Sequence, residues 1–357
     1  MKCAKGENPK NKSIMPEINI EKKKTPASYE SELRQDIVTG DWVVIATGRA
    51  KRPDEFRERE RIQPKDEHDP FADPEASGQE KDVLIYQGED GDWSLRVFPN
   101  KYPAFSRGQK TKDLSEGPYF AMSGVGYTEV IVTRDAEKSP ALLETWRVAE
   151  VLDAYQERYL SLMNKKSVNY IQIFHNHGKE AGASIPHPHS QLMAIPVVSP
   201  SINMELQGAE QYYKSHKHRV YEVMVEEELR AKKRIVFENE DFVAFCPFAS
   251  RAAFEVWVVG KRRNPYFERI TDEEKFTAAE ALQKALQALH TGLDDPAYNY
   301  YIHTAPCDGR DYPSYQWHIE ILPHTGVWAG FELSTGIEIS TIEPEAAAKY
   351  LREQLNP

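Results

Sequence analysis

The chain has 357 residues, 40% hydrophobic and 28% charged, an ordinary globular composition with room for two modest domains or one large one. Its formal net charge of −11 argues against non-specific attraction to nucleic acid or an anionic membrane, so an anionic substrate would need a locally basic pocket. No stretch is apolar for long enough to cross a bilayer, and three scattered cysteines, Cys3, Cys246 and Cys307, supply neither a disulfide framework nor a CxxC metal knuckle.

Residues 1–28 are lysine-rich and lack the apolar core of a secretory signal, so they read as a mobile tail on a soluble, cytoplasmic protein. Thr39-Gly40-Asp41 then separates two short β-prone runs, as in a hairpin. Residues 58–82 are charged and proline-rich, a long loop. Strands are expected at 83–87 and 94–98, ended by Pro99-Asn100-Lys101-Tyr102-Pro103, and again at 128–134. Helical apolar spacing, opened by a proline, covers 140–164, and "NYIQIF" (169–174) is a strand.

A second half repeats the plan: strand, proline-centred break and strand over 241–260, a capping-box helix from Thr271 to about His290, and strands at 299–306 and 314–323. Asn169-Tyr170 matches Asn299-Tyr300, Phe98-Pro99 matches Cys246-Pro247, and Glu129–Val132 matches Glu255–Val258. With final prolines aligned, "HPHSQLMAIP" faces "SYQWHIEILP", placing His187 on Ser314, His189 on Gln316 and Gln191 on His318. The expectation is a duplicated α+β chain with antiparallel sheets flanked by helices, its catalytic half at 29–200 and a degenerate half at 201–357.

The stretch "ASIPHPHSQLMAIP" (183–196) sets His187, His189 and Gln191 at two-residue spacing, one face of an extended strand, with Ser190, Leu192 and Ala194 on the other. Three chemistries fit such a row. The histidines could be structural and bonded to backbone. They could share a metal ion, given further ligands from elsewhere. Or one imidazole could attack phosphorus, oriented through its other nitrogen, while the amide supports phosphoryl oxygens and the Gly178–Ala183 loop lets backbone N–H groups approach a phosphate.

"WVVIATGRAKRP", "VFPNKYPAF", "FHNHG", "GASIPHPHSQ", "PFASRAAFEVWVV", "YNYYIHTAP", "WHIEILP" and "AGFELSTG" occur in order, and together they resemble the galactose-1-phosphate uridylyltransferase family of the histidine-triad superfamily over about residues 30–352. The resemblance implies two tandem histidine-triad-like halves, a homodimer, and nucleotidyl transfer by double displacement. His189 would attack the α-phosphorus of a nucleotide-sugar, Gln191 would bond the transferred phosphoryl group, and His187 would complete the row. Arg49, Lys51 and Arg52 would bind the nucleotide-sugar and supply local positive charge, while Asn100, Asn176 and Ser184 would contact ribose or phosphates. Phe331, Glu332 and Glu338 would close the sugar side, in family dimers often across the subunit boundary.

The chain also departs from the family pattern. Many members hold zinc with a Cys-Pro-Phe-Cys element; here Asp69-Pro70-Phe71-Ala72, with Glu137 and His187, leaves only a poor ligand set, so no zinc is expected there. A second divalent metal, zinc or iron, would sit in the C-terminal half on Glu205, His303, His318 and Glu320. Ser190 in "HPHSQ" resembles the branch containing ADP-glucose phosphorylase, which uses inorganic phosphate as acceptor. The leading expectation is hexose-1-phosphate uridylyl transfer, with that phosphorylase reaction as alternative. A non-catalytic nucleotide binder would not need the nucleophile, and an amide at Gln191 argues against a hydrolase.

Overall fold

The computed structural model describes residues 31–49, 69–108, 112 and 114–355. The tail expected at 1–28, and Lys51 and Arg52, lie outside the described residues, as does the side chain of Arg49. The hairpin forms as expected. Strands β1 (Glu32–Gln35) and β2 (Trp42–Ile45) pair antiparallel, and Gly40 takes the left-handed φ of +82° between them.

The main chain of elements is β3 (Leu84–Gln87), β4 (Trp93–Pro99), β5 (Tyr127–Thr133), α1 (Thr145–Leu162), β6 (Tyr170–His177) and β7 (His189–Ile195). After α2 (Pro200–His216) and α3 (Val220–Ala231) come β8 (Ile235–Glu238), β9 (Phe242–Phe245), β10 (Val256–Gly260), α4 (Asp272–Leu293), β11 (Tyr298–His303) and β12 (His318–Pro323). The chain closes with α5 (Gly330–Thr335), β13 (Ile339–Ser340) and α6 (Pro344–Leu355). β13 joins the opening hairpin, running parallel to β2.

The other ten strands form one sheet, in the order β3-β4-β5-β7-β6-β11-β12-β10-β9-β8, with every pairing antiparallel. The order is a palindrome about the β6·β11 seam, where Phe174 pairs with Tyr301. One face packs on α1 and α4, whose Val148, Leu152, Tyr155, Tyr159, Leu282, Leu286 and Leu289 are buried at helical spacing against Ile171, Ile173, Leu192, Ile302 and Ile319. Each such aliphatic side chain contributes about 1.5–3 kcal/mol by leaving water. The Thr271–Glu274 capping box is present at the start of α4.

The residue matches between the halves need correction. Val130 faces the open side opposite Gln191, whereas Val256 pairs with Ile321 in the helix-covered core, so matching Glu129–Val132 to Glu255–Val258 slips by one residue and swaps faces. Register pairs Val132 with His189 in one half and Val259 with His318 in the other. His318, not Gln316, is therefore the counterpart of His189, and Glu320, not His318, that of Gln191. Aligning the prolines misled because Pro323 lies inside β12 while Pro196 follows β7. Three expected elements also shorten: α1 starts at Thr145 because 140–142 form turns and Glu144 is extended, β11 ends at His303, and β12 starts at His318.

Candidate functional site

β7 begins at His189, so His187 stands just before it. Both rings are nearly enclosed, at 2% exposure for His187 and 8% for His189. His187 Nδ1 lies 2.7 Å from Asp69 Oδ2 and its Nε2 lies 2.7 Å from the Thr133 carbonyl oxygen. Both partners are acceptors, so each ring nitrogen is already turned toward a protein oxygen and neither faces an open ligand position. Glu137 is exposed in the turn after β5, where its N–H donates to Asp135. Among the described residues, the side chains of Asp69, Glu137 and His187 do not gather into one group of ligand atoms.

His189 Nδ1 lies 2.9 Å from the His187 carbonyl oxygen. Donation there fixes the tautomer and leaves the lone pair on Nε2. The Phe71 ring meets the rings of His187 and His189 edge-on, with centroids 5.9 and 5.1 Å away. Burial lowers the His189 pKa below the ordinary histidine value, outweighing the His187 carbonyl bond, which raises it. The neutral, nucleophilic form is thereby favoured.

Gln191 shares the open face, flanked by Val130 on β5 and Phe174 on β6. On the opposite face Ser190 accepts from the Tyr155 hydroxyl and lies 3.1 Å from His175 Nδ1, anchoring the strand from behind. The loop before β7 turns at Gly178 (φ +84°) and Gly182 (φ +87°), backbone that only glycine adopts without cost. Asn176, on β6, accepts from Asn299 at 2.8 Å. Asn100 follows β4 and caps its own turn through Tyr102, and Ser184 is exposed on the loop. Phe331 and Glu332 lie on the short exposed helix α5, where Glu332 accepts from the Ala329 N–H at 3.0 Å. Glu338 lies beyond α5, and its carboxyl is raised by burial, a shift opposed by the nearby Arg251.

Across the seam, Glu205, His303, His318 and Glu320 come together as expected, with one potential ligand atom from each within 4.8 Å of the others. All four are buried, and His318 is fully enclosed. α2 brings Glu205, β11 brings His303, and β12 brings the other two at i, i+2. His318 Nδ1 lies 3.1 Å from the Gln316 carbonyl oxygen, repeating the backbone bond of His189, and its Nε2 lies 3.3 Å from Glu320 Oε1. His303 Nδ1 makes no hydrogen bond, although Glu205 Oε1 is 2.8 Å away. Two imidazole nitrogens and two carboxylates converging on one point fit a divalent cation with nitrogen and oxygen ligands.

Sequence reasoning missed the surroundings of this group. Arg251 Nη2 meets Glu320 Oε2 at 2.5 Å and the fully buried Glu255 at 2.9 Å. The Tyr315 hydroxyl donates to Glu205 Oε2 at 2.5 Å. Burial pulls the His303 imidazole down, but Glu205 and Glu320 together outweigh it and hold the pKa above the ordinary value. Burial likewise raises Glu320, while Arg251 and both histidines press it well below the usual carboxylate range. The available signal was an arginine four residues before a glutamate inside the apolar run "PFASRAAFEVWVV". Between the His189–Gln191 row and this group lies a cleft of about 350 Å³ lined by Gln172, Phe174, Asn176, Arg251, Asn299 and Tyr301, among others.

Comparison with known proteins places this geometry. A family model described as "Galactose-1-phosphate uridyl transferase, N-terminal domain" matches residues 20–199, and a domain of unknown function, DUF4921, matches residues 146–356. ADP-glucose phosphorylase of Arabidopsis thaliana is 32% identical over 332 residues, covering 90% of this chain and 92% of that protein. A galactose-1-phosphate uridylyltransferase of Thermotoga maritima is 29% identical, covering 90% and 98%. A crystal structure of the Arabidopsis phosphorylase with bound ADP-glucose superposes with a TM-score of 0.77 at 31% identity, covering 91% of this chain and 99% of that one.

Proposed function

Because the chain belongs to the galactose-1-phosphate uridylyltransferase family, we propose that it moves a nucleoside monophosphate from a nucleotide-sugar to a sugar phosphate through a covalent nucleotidyl-His189. The observation that carries this is the His189 tautomer: Nδ1 is committed to the His187 carbonyl, and Nε2 keeps its lone pair. In the first step Nε2 forms an N–P bond to the α-phosphorus. The bond to the bridging oxygen breaks, and sugar 1-phosphate leaves with the electron pair. In the second, a phosphate oxygen of the acceptor takes the phosphorus, and the N–P electrons return to Nε2.

Gln191 supports the transfer by donating amide N–H to a non-bridging oxygen, and it has no acidic proton to hasten attack by water. We assign Asn100, Asn176, Ser184, Arg49, Lys51 and Arg52 to nucleotide and phosphate contacts. Phe331, Glu332 and Glu338 are assigned to the sugar side, supplied across a homodimer boundary. The exposed apolar side chains Val327, Trp328, Phe331 and Leu333 favour such an assembly. The catalytic half spans 29–200 and the degenerate half 201–357. In the latter, Glu205, His303, His318 and Glu320 would hold zinc or iron, whose bound charge would offset the buried carboxylates and tie α2 to β11 and β12.

Uridylyl transfer between hexose 1-phosphates is the primary reading. The 32% identity to ADP-glucose phosphorylase favours a second, in which the donor is ADP-glucose and the acceptor inorganic phosphate. Intact mass after brief incubation with UDP-glucose, UDP-galactose or ADP-glucose tests both. A nucleotidyl-sized increase that is absent in His189→Gly supports covalent transfer, and the productive donor names the base. Nucleotide binding without an adduct from any donor would instead favour a binding protein.

A further inference from the structure

Arg251 belongs to two environments. Its guanidinium bonds Glu320 Oε2, Glu255 Oε1 and the Tyr301 hydroxyl, at 2.5, 2.9 and 3.0 Å. The same side chain is 33% exposed and lines the 350 Å³ cleft beside Asn176, Asn299 and His303, whereas Glu255 and Glu320 are 1% and 2% exposed. It is therefore the charged contact, beside His303, through which a cleft ligand and the carboxylate group can sense each other.

The charges are unevenly matched. Glu255 and Glu320 set two buried carboxylates against this one guanidinium, and the buried Glu205 adds a third on the far side of His303. A phosphate entering the cleft would meet an arginine whose charge is already claimed by Glu255 and Glu320. A divalent cation held by Glu205, His303, His318 and Glu320 would draw on the Glu320 charge and release that of Arg251 toward the cleft. Like charges withdrawn from a poorly solvated neighbourhood act strongly on an incoming anion.

We propose that Arg251 couples the two sites, so that a divalent cation at the Glu205–His303–His318–Glu320 group and a phosphate-bearing ligand in the adjoining cleft each strengthen binding of the other. The inference rests on the reading of that group as a metal seat and of the cleft as part of the substrate site. Linkage requires the effect to be equal in both directions.

The test uses the full-length protein stripped of metal. Zinc affinity is measured by competition with a chromophoric chelator, without and with saturating glucose 1-phosphate. Glucose 1-phosphate is then titrated calorimetrically into stripped and zinc-loaded protein. The expected result is a gain of about fivefold or more in each titration, the lower end of ordinary coupling. Glucose, which lacks the phosphate, should leave zinc affinity unchanged, and in Arg251→Gln the gain should fall toward none while zinc still binds. Failure to bind zinc at all would overturn the metal reading and the coupling with it. Zinc binding that glucose 1-phosphate does not alter, an equal gain from glucose, or full coupling in folded Arg251→Gln would overturn the coupling alone.

Discussion

Imidazole attacks phosphorus only through an unprotonated nitrogen, and burial at His189 keeps that form available below the ordinary histidine value. The rate of adduct formation in single turnover should therefore hold steady as pH falls through about 6.5 and decline only below it. An acid limb centred at or above that value would contradict the assignment. His175 makes the opposite demand on stability. It is enclosed, and burial depresses its pKa far below the unfolded value, so the unfolded chain takes up the proton first. The His175 contribution to stability should be constant above about pH 6.5 and be lost as pH drops below it, visible as a decreasing urea midpoint on the acid side. Asp69 acts through His187: Asp69→Ala would leave a buried ring nitrogen without its acceptor, costing about 1–3 kcal/mol, and should slow adduct formation by loosening the carbonyl that orients His189. Equilibrium unfolding and single-turnover rates, measured on the same variant, check both effects.

At the scale of elements, α2 shows how tightly the candidate metal group is built into the fold. Exchanging a helical glycine for alanine normally stabilises by about 1 kcal/mol. At Gly208 the added methyl carbon would lie 1.8 Å from the Val38 carbonyl oxygen, so α2 would have to move off the β1–β2 hairpin, carrying Glu205 with it. Gly208→Ala should lower thermal stability and zinc affinity together, against the helix-propensity expectation. The strands and the capped helix α4 were legible because alternation, turn residues and capping pairs are local signals. The helices α2, α3 and α6 were not read, even though Ser199 caps α2 with proline at its first position. Each buries only four residues, one of them a glutamate in α2 and in α3, so the apolar stripe is thin. The match between halves failed for a different reason. A strand's face depends on the parity of its register, and parity comes from hydrogen-bonded partners, which similarity of short motifs does not encode. The His187–Gln191 row was legible from its two-residue spacing, its role and the Glu205 group came through family resemblance, and Arg251, Glu255 and Tyr315 came only from the folded arrangement.

At the scale of the whole molecule, the two halves share one sheet, one helix-covered core and a central seam of five residue pairs. They should unfold as one unit. Ile302 pairs with Ile173 and Ile319 at the seam and is 1% exposed, so Ile302→Ala should cost about 2–5 kcal/mol. It should shift the transitions reported by Trp93 in the first half and Trp317 in the second to the same new midpoint; separate shifts would show independent folding. Removing bound metal should also lower the single transition by a few degrees, since a ligand at a hundredfold excess over its dissociation constant contributes about 2.7 kcal/mol. The palindromic strand order carries a consequence for the severed chain. Cut between β7 and β8, each fragment would present the bare edge of β6 or β11, shaped to receive an antiparallel strand much like itself. The first fragment's natural partner would then be its own twin, with Phe174 lying against Phe174, an assembly bearing the His189–Gln191 row twice.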